Sequence, residues 1–214
     1  VDFLNQKYAL PIEKGQIKIL QNEHQGVSKA RNLGLEHCKG KFIAYLDSDN
    51  TWDRNYLLIM INSLDREIDY SCAYSGIKLE NYSKGDFSIL FKPQFSYDQL
   101  TISNFIDLNA FVHHKGLIDR FGVFDERLSR LVDWDLILRY TADSAPLAIP
   151  IAAVNYQLDK TLNNISNTES FAKNYDLYHM LYIHIYKNYV YLIHIFYYLS
   201  LLILYHHTLE MMHL

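Results

Sequence analysis

Apolar positions along the chain recur in two alternating patterns. Ile17-Lys18-Ile19-Leu20 and Phe42-Ile43-Ala44-Tyr45-Leu46 are short apolar runs of strand character. Between them Ala30, Leu33 and Cys38 follow rough helical spacing, with Ser28 placed to cap the helix and Lys39-Gly40 to end it in a left-handed turn. Tyr56, Leu57, Met60, Ile61 and Leu64 predict a second helix, and residues 69–79 return to strand character. Lys84-Gly85-Asp86 marks a loop or hairpin turn. Residues 104–115 are apolar again, Leu117 to Phe121 suggests a short helix before a turn at Gly122-Val123-Phe124-Asp125, and Leu131 to Thr141 predicts a last helix. Strand, helix and strand in succession imply an α/β domain whose strands are buried on both faces.

The pattern changes near residue 174. From there tyrosine, histidine, leucine and isoleucine dominate, and Tyr178, Tyr182, Ile185, Tyr189, Leu192, Phe196, Leu199 and Ile203 form a heptad-like stripe opposite His184, Lys187, Asn188, Tyr191 and His194. We therefore expect a main domain over 1–173 and an amphipathic helical tail over 174–214. The apolar stretch from Tyr189 to Tyr205 is near the lower limit for crossing a bilayer and carries His194 and Ser200, which favours lying on a membrane surface or against a partner helix. A helix that simply covers the main domain is the alternative.

Composition narrows the partners. Of 214 residues half are apolar, enough for a sizeable core, and the formal net charge of -4 provides no basic field, so nucleic acid is not expected as a partner. Cys38 and Cys72 lack paired-ligand spacing and read as buried thiols of a reducing compartment, which points to the cytoplasm. No secretory leader opens the sequence, and Val1 reads as the middle of a longer protein.

Chemistry concentrates where the strand ending at Leu46 runs into Asp47-Ser48-Asp49-Asn50. Ligands of open α/β sheets bind at the carboxyl ends of strands. Hard carboxylate oxygens suit Mg2+ or Mn2+, and such an ion can neutralise a diphosphate leaving group. If the segment is extended, Asp47 and Asp49 point to the same side. The same four residues also suit a plain polar turn. His113 and His114 are adjacent in an extended stretch and face opposite ways, so packing is favoured over metal ligation.

Gly26-Val27-Ser28-Lys29-Ala30-Arg31-Asn32, then Gly40 to Asn50, then Gly122-Val123-Phe124-Asp125-Glu126-Arg127, then Val132-Asp133-Trp134-Asp135-Leu136-Ile137-Leu138-Arg139 resemble, in order and spacing, segments of family 2 glycosyltransferases with the GT-A fold. The resemblance covers about residues 5 to 170 and implies a mixed, mostly parallel sheet flanked by helices, lacking the family's opening strands. It further implies an inverting, metal-dependent transferase that moves a sugar from a nucleotide-diphosphate donor, UDP-sugar by the same resemblance, to a glycan, glycolipid or glycoprotein hydroxyl.

By that resemblance Asp49 ligates the metal, Asp47 contacts the ribose or donor sugar, Arg31 lies beside the nucleotide and Asp133 is the general base. Read from the residues alone, Arg31 could equally pair with a carboxylate on the sheet, Asp135 suits a helix-capping or orienting role, and Trp134 suits either a sugar platform or the core. Val132 stands where many relatives carry a glutamate. The implied setting is cytoplasmic, peripheral on the inner face of a membrane. A glycosyltransferase-like binding or assembly module without catalysis is the rival reading; a sugar nucleotidyltransferase lacks support, since no glycine-rich loop followed by lysine is present.

Overall fold

A computed structural model describes residues 7–23, 25–81 and 85–157. All of them lie within the first of two compact units, 1–161; the expected tail from residue 174 falls outside the described residues. In chain order the elements are α1 (Ala9–Glu13), α2 (Val27–His37), β1 (Phe42–Ala44), β2 (Asn50–Trp52), α3 (Tyr56–Arg66), β3 (Cys72–Asn81), β4 (Asp86–Leu90), α4 (Tyr97–Ile102), a short 3-10 turn (Leu108–Ala110), β5 (Phe111–His114), α5 (Gly116–Phe121), α6 (Val132–Thr141) and β6 (Leu147–Gln157).

The strands form one mixed sheet in the order β1-β5-β3-β6-β2, with β4 also paired to β3. The α/β class is as expected, but the parallel share is smaller. Only β3 and β6 run parallel; β1 with β5, β5 with β3, β4 with β3 and β2 with β6 are antiparallel. The physical reason lies at residues 17–20, which join no strand, so β1 has no parallel neighbour among the described residues. The long strand β6 was not foreseen: Pro150 and the small residues of Leu147-Ala148-Ile149-Pro150-Ile151-Ala152-Ala153 hide its alternation.

Helix α3 packs as its pattern predicts. Tyr56, Met60 and Leu64 recur every four residues and are buried against Ala73, Val112, Ile149 and Val154 of the sheet and Ala110 of the 3-10 turn. Burying a side chain such as Met60 contributes about 2 kcal/mol. Trp52 extends the contact by stacking on Tyr56 at 4.9 Å between ring centres. A bulge interrupts β3 at Gly76. A β-carbon there would meet Phe91 Cβ at 2.9 Å and the Ile151 and Leu90 carbonyls at 3.2 Å, so only glycine lets the chain following β4 and β6 close on β3 together.

The helix α2 differs from its expected limits. Ser28 lies inside it, buried, and the cap is Gly26 at φ 92°. The end comes at His37, with Cys38 extended and only half-buried rather than in a left-handed turn at Gly40. Helix α6 is buried almost all round, including Trp134, Leu136, Ile137, Leu138 and Tyr140. Trp134 is 2% exposed and donates its indole N–H to the Leu100 carbonyl at 2.8 Å, so it belongs to the core between α4 and α6 and offers no platform to a ligand. Among the described residues no helix is long and apolar enough to cross a membrane.

Candidate active site

Register explains why distant segments meet. Antiparallel pairing of Ala44 with Val112 sets the chain leaving β1 beside the chain entering β5. Pairing of Asn50 with Tyr156 brings the start of β2 beside the end of β6. Residues 47–49, residues 107–109 and Tyr156 are thereby gathered at one end of the sheet.

Asp47, Ser48 and Asp49 do not continue β1 as an extended segment. They form a tight turn closed by the Asn50 N–H donating to the Asp47 carbonyl at 3.2 Å. The same-side argument for the two carboxylates therefore fails, because the polar residues satisfy local backbone groups at the turn. Their environments diverge. One Asp47 oxygen accepts from Arg31 Nη2 at 3.0 Å and the other from Asn109 Nδ2 at 3.3 Å, while the Asp47 N–H donates to Asn109 Oδ1 at 2.7 Å. Asp49 is exposed and makes no hydrogen bond or ion pair among the described residues. Arg31 is 17% exposed in its side chain and also lies 5.3 Å over the Phe124 ring, so pairing with a sheet-end carboxylate is what it does here.

Asn32, next to Arg31, binds the second half of the motif set. Its carboxamide donates to the Phe124 carbonyl and to Glu126, and accepts from the Phe124 N–H, each at 3.0 Å. The Gly122–Arg127 segment is thus clipped to α2, and from it the chain enters α6. Leu131, just before α6, has φ 56° and ψ 20°, a left-handed conformation uncommon for leucine. Two residues later comes Asp133, half-buried and without a hydrogen bond or ion pair among the described residues. Asp135 is buried and paired to Arg139 at 2.7 and 3.0 Å, and Arg139 also donates to the carbonyls of Phe121 and Val123. Through Arg139 the pair ties α6 to the chain around Gly122.

Three residues at this end of the sheet escaped the sequence reading: Asp107, Asn109 and Tyr156. Asp107 accepts from the Asn109 N–H at 2.8 Å and from Asn109 Nδ2 at 3.0 Å. Burial raises its carboxyl above the usual range; the bonds from Asn109 oppose this, and the charges of Asp133 and Asp47 add to it. Tyr156 is raised by burial and then by Asp107, Asp49, Asp47 and Asp133. Asp47, Asp49, Asp107 and Asp133 therefore share one electrostatic neighbourhood, although they lie far apart in sequence. A polar Asp-x-Asn directly before an apolar strand was the signal on offer, since an antiparallel neighbour of β1 must begin where β1 ends.

Asp107 also lines a pocket of about 440 Å3 whose walls include Ile77, Ile89, Phe91 and Phe105, with Ser75, Lys92 and Asn104 as further polar residues. His113 is fully buried and takes no part. Tyr45 donates its hydroxyl to His113 Nε2 at 2.9 Å and Nδ1 donates to the His114 carbonyl at 2.9 Å, while burial lowers the imidazole to about 4. His114 is exposed on the opposite side, as adjacent strand residues require. Cys72 is a buried thiol raised to about 12 by burial. Among the described residues no three His, Cys, Asp or Glu side chains are grouped to hold a metal ion by themselves.

The model of the glycosyl transferase family 2 matches residues 3–121. The chain belongs to this family. It is 27% identical over 135 residues to an uncharacterized glycosyltransferase of Rickettsia prowazekii, covering 58% of this chain and 42% of that protein. It is 41% identical over 56 residues to a UDP-Glc:alpha-D-GlcNAc-diphosphoundecaprenol beta-1,3-glucosyltransferase of Escherichia coli, covering 26% of this chain and 22% of that one. A crystal structure of S. aureus TarS in complex with UDP-GlcNAc superposes with a TM-score of 0.57 at 17% identity, over 76% of this chain and 49% of that chain. The fold is thus the GT-A fold of this family, and the chain spans less than half the length of each of these relatives.

Proposed function

We propose that the protein is an inverting glycosyltransferase that moves a sugar from a UDP-sugar to a hydroxyl of a glycan or lipid-linked acceptor. One observation carries the reading: the Asp47–Asp49 turn is held by Arg31 and Asn109 at the end of the sheet, Asn109 also holds Asp107, and the charges of Asp47 and Asp133, from separate elements, both push the Asp107 carboxyl upward. The names of two neighbours support the donor class, one being a UDP-Glc-using enzyme and the other holding UDP-GlcNAc. The diphosphoundecaprenol in the first name supports a lipid-linked acceptor and a peripheral place on the inner face of a membrane.

Asp47, held on both oxygens, is the carboxylate that meets ribose or donor-sugar hydroxyls, with Arg31 beside the nucleotide. Asp49 is the metal ligand. Its unpaired carboxylate fits Mg2+ or Mn2+, which bind through one or two carboxylates plus substrate phosphates rather than through a full protein cage. A second observation agrees: the Asn50 carboxamide is 5% exposed and has no partner among the described residues. It alternates with exposed Thr51 onto the face where Trp52 donates to the Asn109 carbonyl at 2.8 Å. Such an orphan costs about 1–3 kcal/mol, which a ligand would offset. When bound, the ion supplies positive charge against the leaving diphosphate.

Asp133 takes the proton of the attacking acceptor hydroxyl. A sugar hydroxyl is a weak nucleophile, and a carboxylate on the side opposite the diphosphate permits a single in-line displacement with inversion. Titration calorimetry of the full-length protein with UDP is the test of the donor half of this reading. Binding in Mn2+ that weakens at least tenfold in chelator is expected; equal affinity in both refutes the metal role, and binding without any transfer from UDP-sugars returns the protein to the rival, non-catalytic module.

A further inference from the structure

We propose that Asn109 is a positioning residue that fixes Asp47 for nucleotide binding. The inference rests on the reading of Asp47 as the donor-side carboxylate. Asn109 is 3% exposed, and both the oxygen and the nitrogen of its carboxamide are hydrogen-bonded. Oδ1 accepts the Asp47 N–H, and the two hydrogens of Nδ2 go to the Asp47 and Asp107 carboxylates. Its main chain is committed as well, the N–H to Asp107 and the carbonyl to the Trp52 indole. One side chain thus holds both the backbone and the carboxylate of Asp47 against the 3-10 turn that leads into β5.

Arg31 cannot replace it. The guanidinium reaches only one Asp47 oxygen, from a neighbouring helix. Without Asn109 the second oxygen and the N–H of Asp47 lose their partners, and nothing sets the carboxylate plane. Asn109 also joins Asp47 to Asp107, which is among the residues lining the pocket. A buried asparagine that merely satisfies a turn would show the same bonds, so the distinction must come from ligand binding.

Asn109→Asp keeps the size and the acceptor for the Asp47 N–H, but turns a carboxylate oxygen toward two carboxylates. The dissociation constant for UDP in Mn2+ is measured by calorimetry in the full-length parent, Asn109→Asp, Asp47→Asn and the double variant. We expect Asn109→Asp to weaken UDP at least tenfold in the parent and less than twofold on top of Asp47→Asn, where an amide again faces a carboxylate. A structural role alone would give the same factor in both backgrounds; that result, or an unchanged constant in folded Asn109→Asp, overturns the inference. If Asn109→Asp does not fold, Asn109→Ser is put through the same cycle, with the same two outcomes deciding. A parent that does not bind UDP refutes the donor-site reading itself and this inference with it, whereas a binding parent with an unaltered variant refutes the inference alone.

Discussion

The two Asp-x-Asp segments treat their carboxylates in mirrored order. In Asp47-Ser48-Asp49 the first is locked by arginine and the second has no partner among the described residues; in Asp133-Trp134-Asp135 the first has no partner among them and the second is locked. The locks have different origins. Asp135 meets Arg139 one helical turn on, along α6, whereas Asp47 meets an arginine from α2 and the amide of Asn109. A paired carboxylate has its orientation set by the protein, with lone pairs left over for a ligand only where it stays accessible. A carboxylate without a protein partner keeps all its lone pairs for a ligand, which is why Asp49 and Asp133 meet the ion and the acceptor proton in our reading, while Asp47 meets donor hydroxyls from a fixed position and Asp135 sets the frame.

Breaking the tighter lock should have the largest effect. Asp135 and Arg139 expose little of their side chains, and Arg139 also satisfies two carbonyls. Arg139→Leu leaves a buried carboxylate uncompensated, so urea unfolding should show a loss of about 3–5 kcal/mol. A loss under about 1 kcal/mol would mean that the pair does not hold the frame. Asp133→Asn should do the opposite. It removes no hydrogen bond or ion pair among the described residues, so stability and UDP affinity should stay near the parent while sugar transfer falls by about two orders of magnitude. Transfer at the parent rate, or its loss in Asp135→Asn with folding intact, would assign the base elsewhere.

Asp49 sharpens the donor half. Asp49→Ala should weaken UDP in Mn2+ by about tenfold, roughly 1.4 kcal/mol, and abolish the difference that chelator makes in the parent. Because the side chain is exposed and unpaired, the melting temperature should not move. An intact chelator effect would show that the ion, if bound, is held by other groups.

Much of this frame was legible from residue pattern alone. The apolar spacing of Tyr56, Met60 and Leu64 and of α6 placed both helices within a residue or two, since burial enforces that spacing. The motif residues Arg31, Asp47 and Asp133 also fall where one site can form. What stayed hidden depends on pairing across the chain. Asp107 and Asn109 matter because β5 runs antiparallel to β1, and Tyr156 because β6 pairs with β2; neither register is written in local propensity. The strand proposed at 17–20 failed for the complementary reason: alternation makes a strand eligible for a sheet, but a ladder partner makes it one.

The smallest expected effect concerns what aims the unpaired Asp133. Among the described residues no side chain caps helix α6; Leu131 precedes it, and its positive φ turns the chain sharply into the first helical residues. Holding leucine there costs about 1–2 kcal/mol, a strain two residues from the proposed base. Leu131→Gly removes that strain but loses about 0.5–1 kcal/mol to backbone freedom in the unfolded chain and part of a half-buried side chain. The net change in urea unfolding should therefore stay within about 1 kcal/mol, with transfer close to the parent. Leu131→Val removes little apolar surface but adds a β-branch that the left-handed region tolerates poorly, so it should cost about 1 kcal/mol more than glycine and lower transfer without altering UDP affinity. If valine proves as stable and as active as glycine, the backbone at 131 shifts freely and the position of Asp133 is set by the buried face of α6 instead.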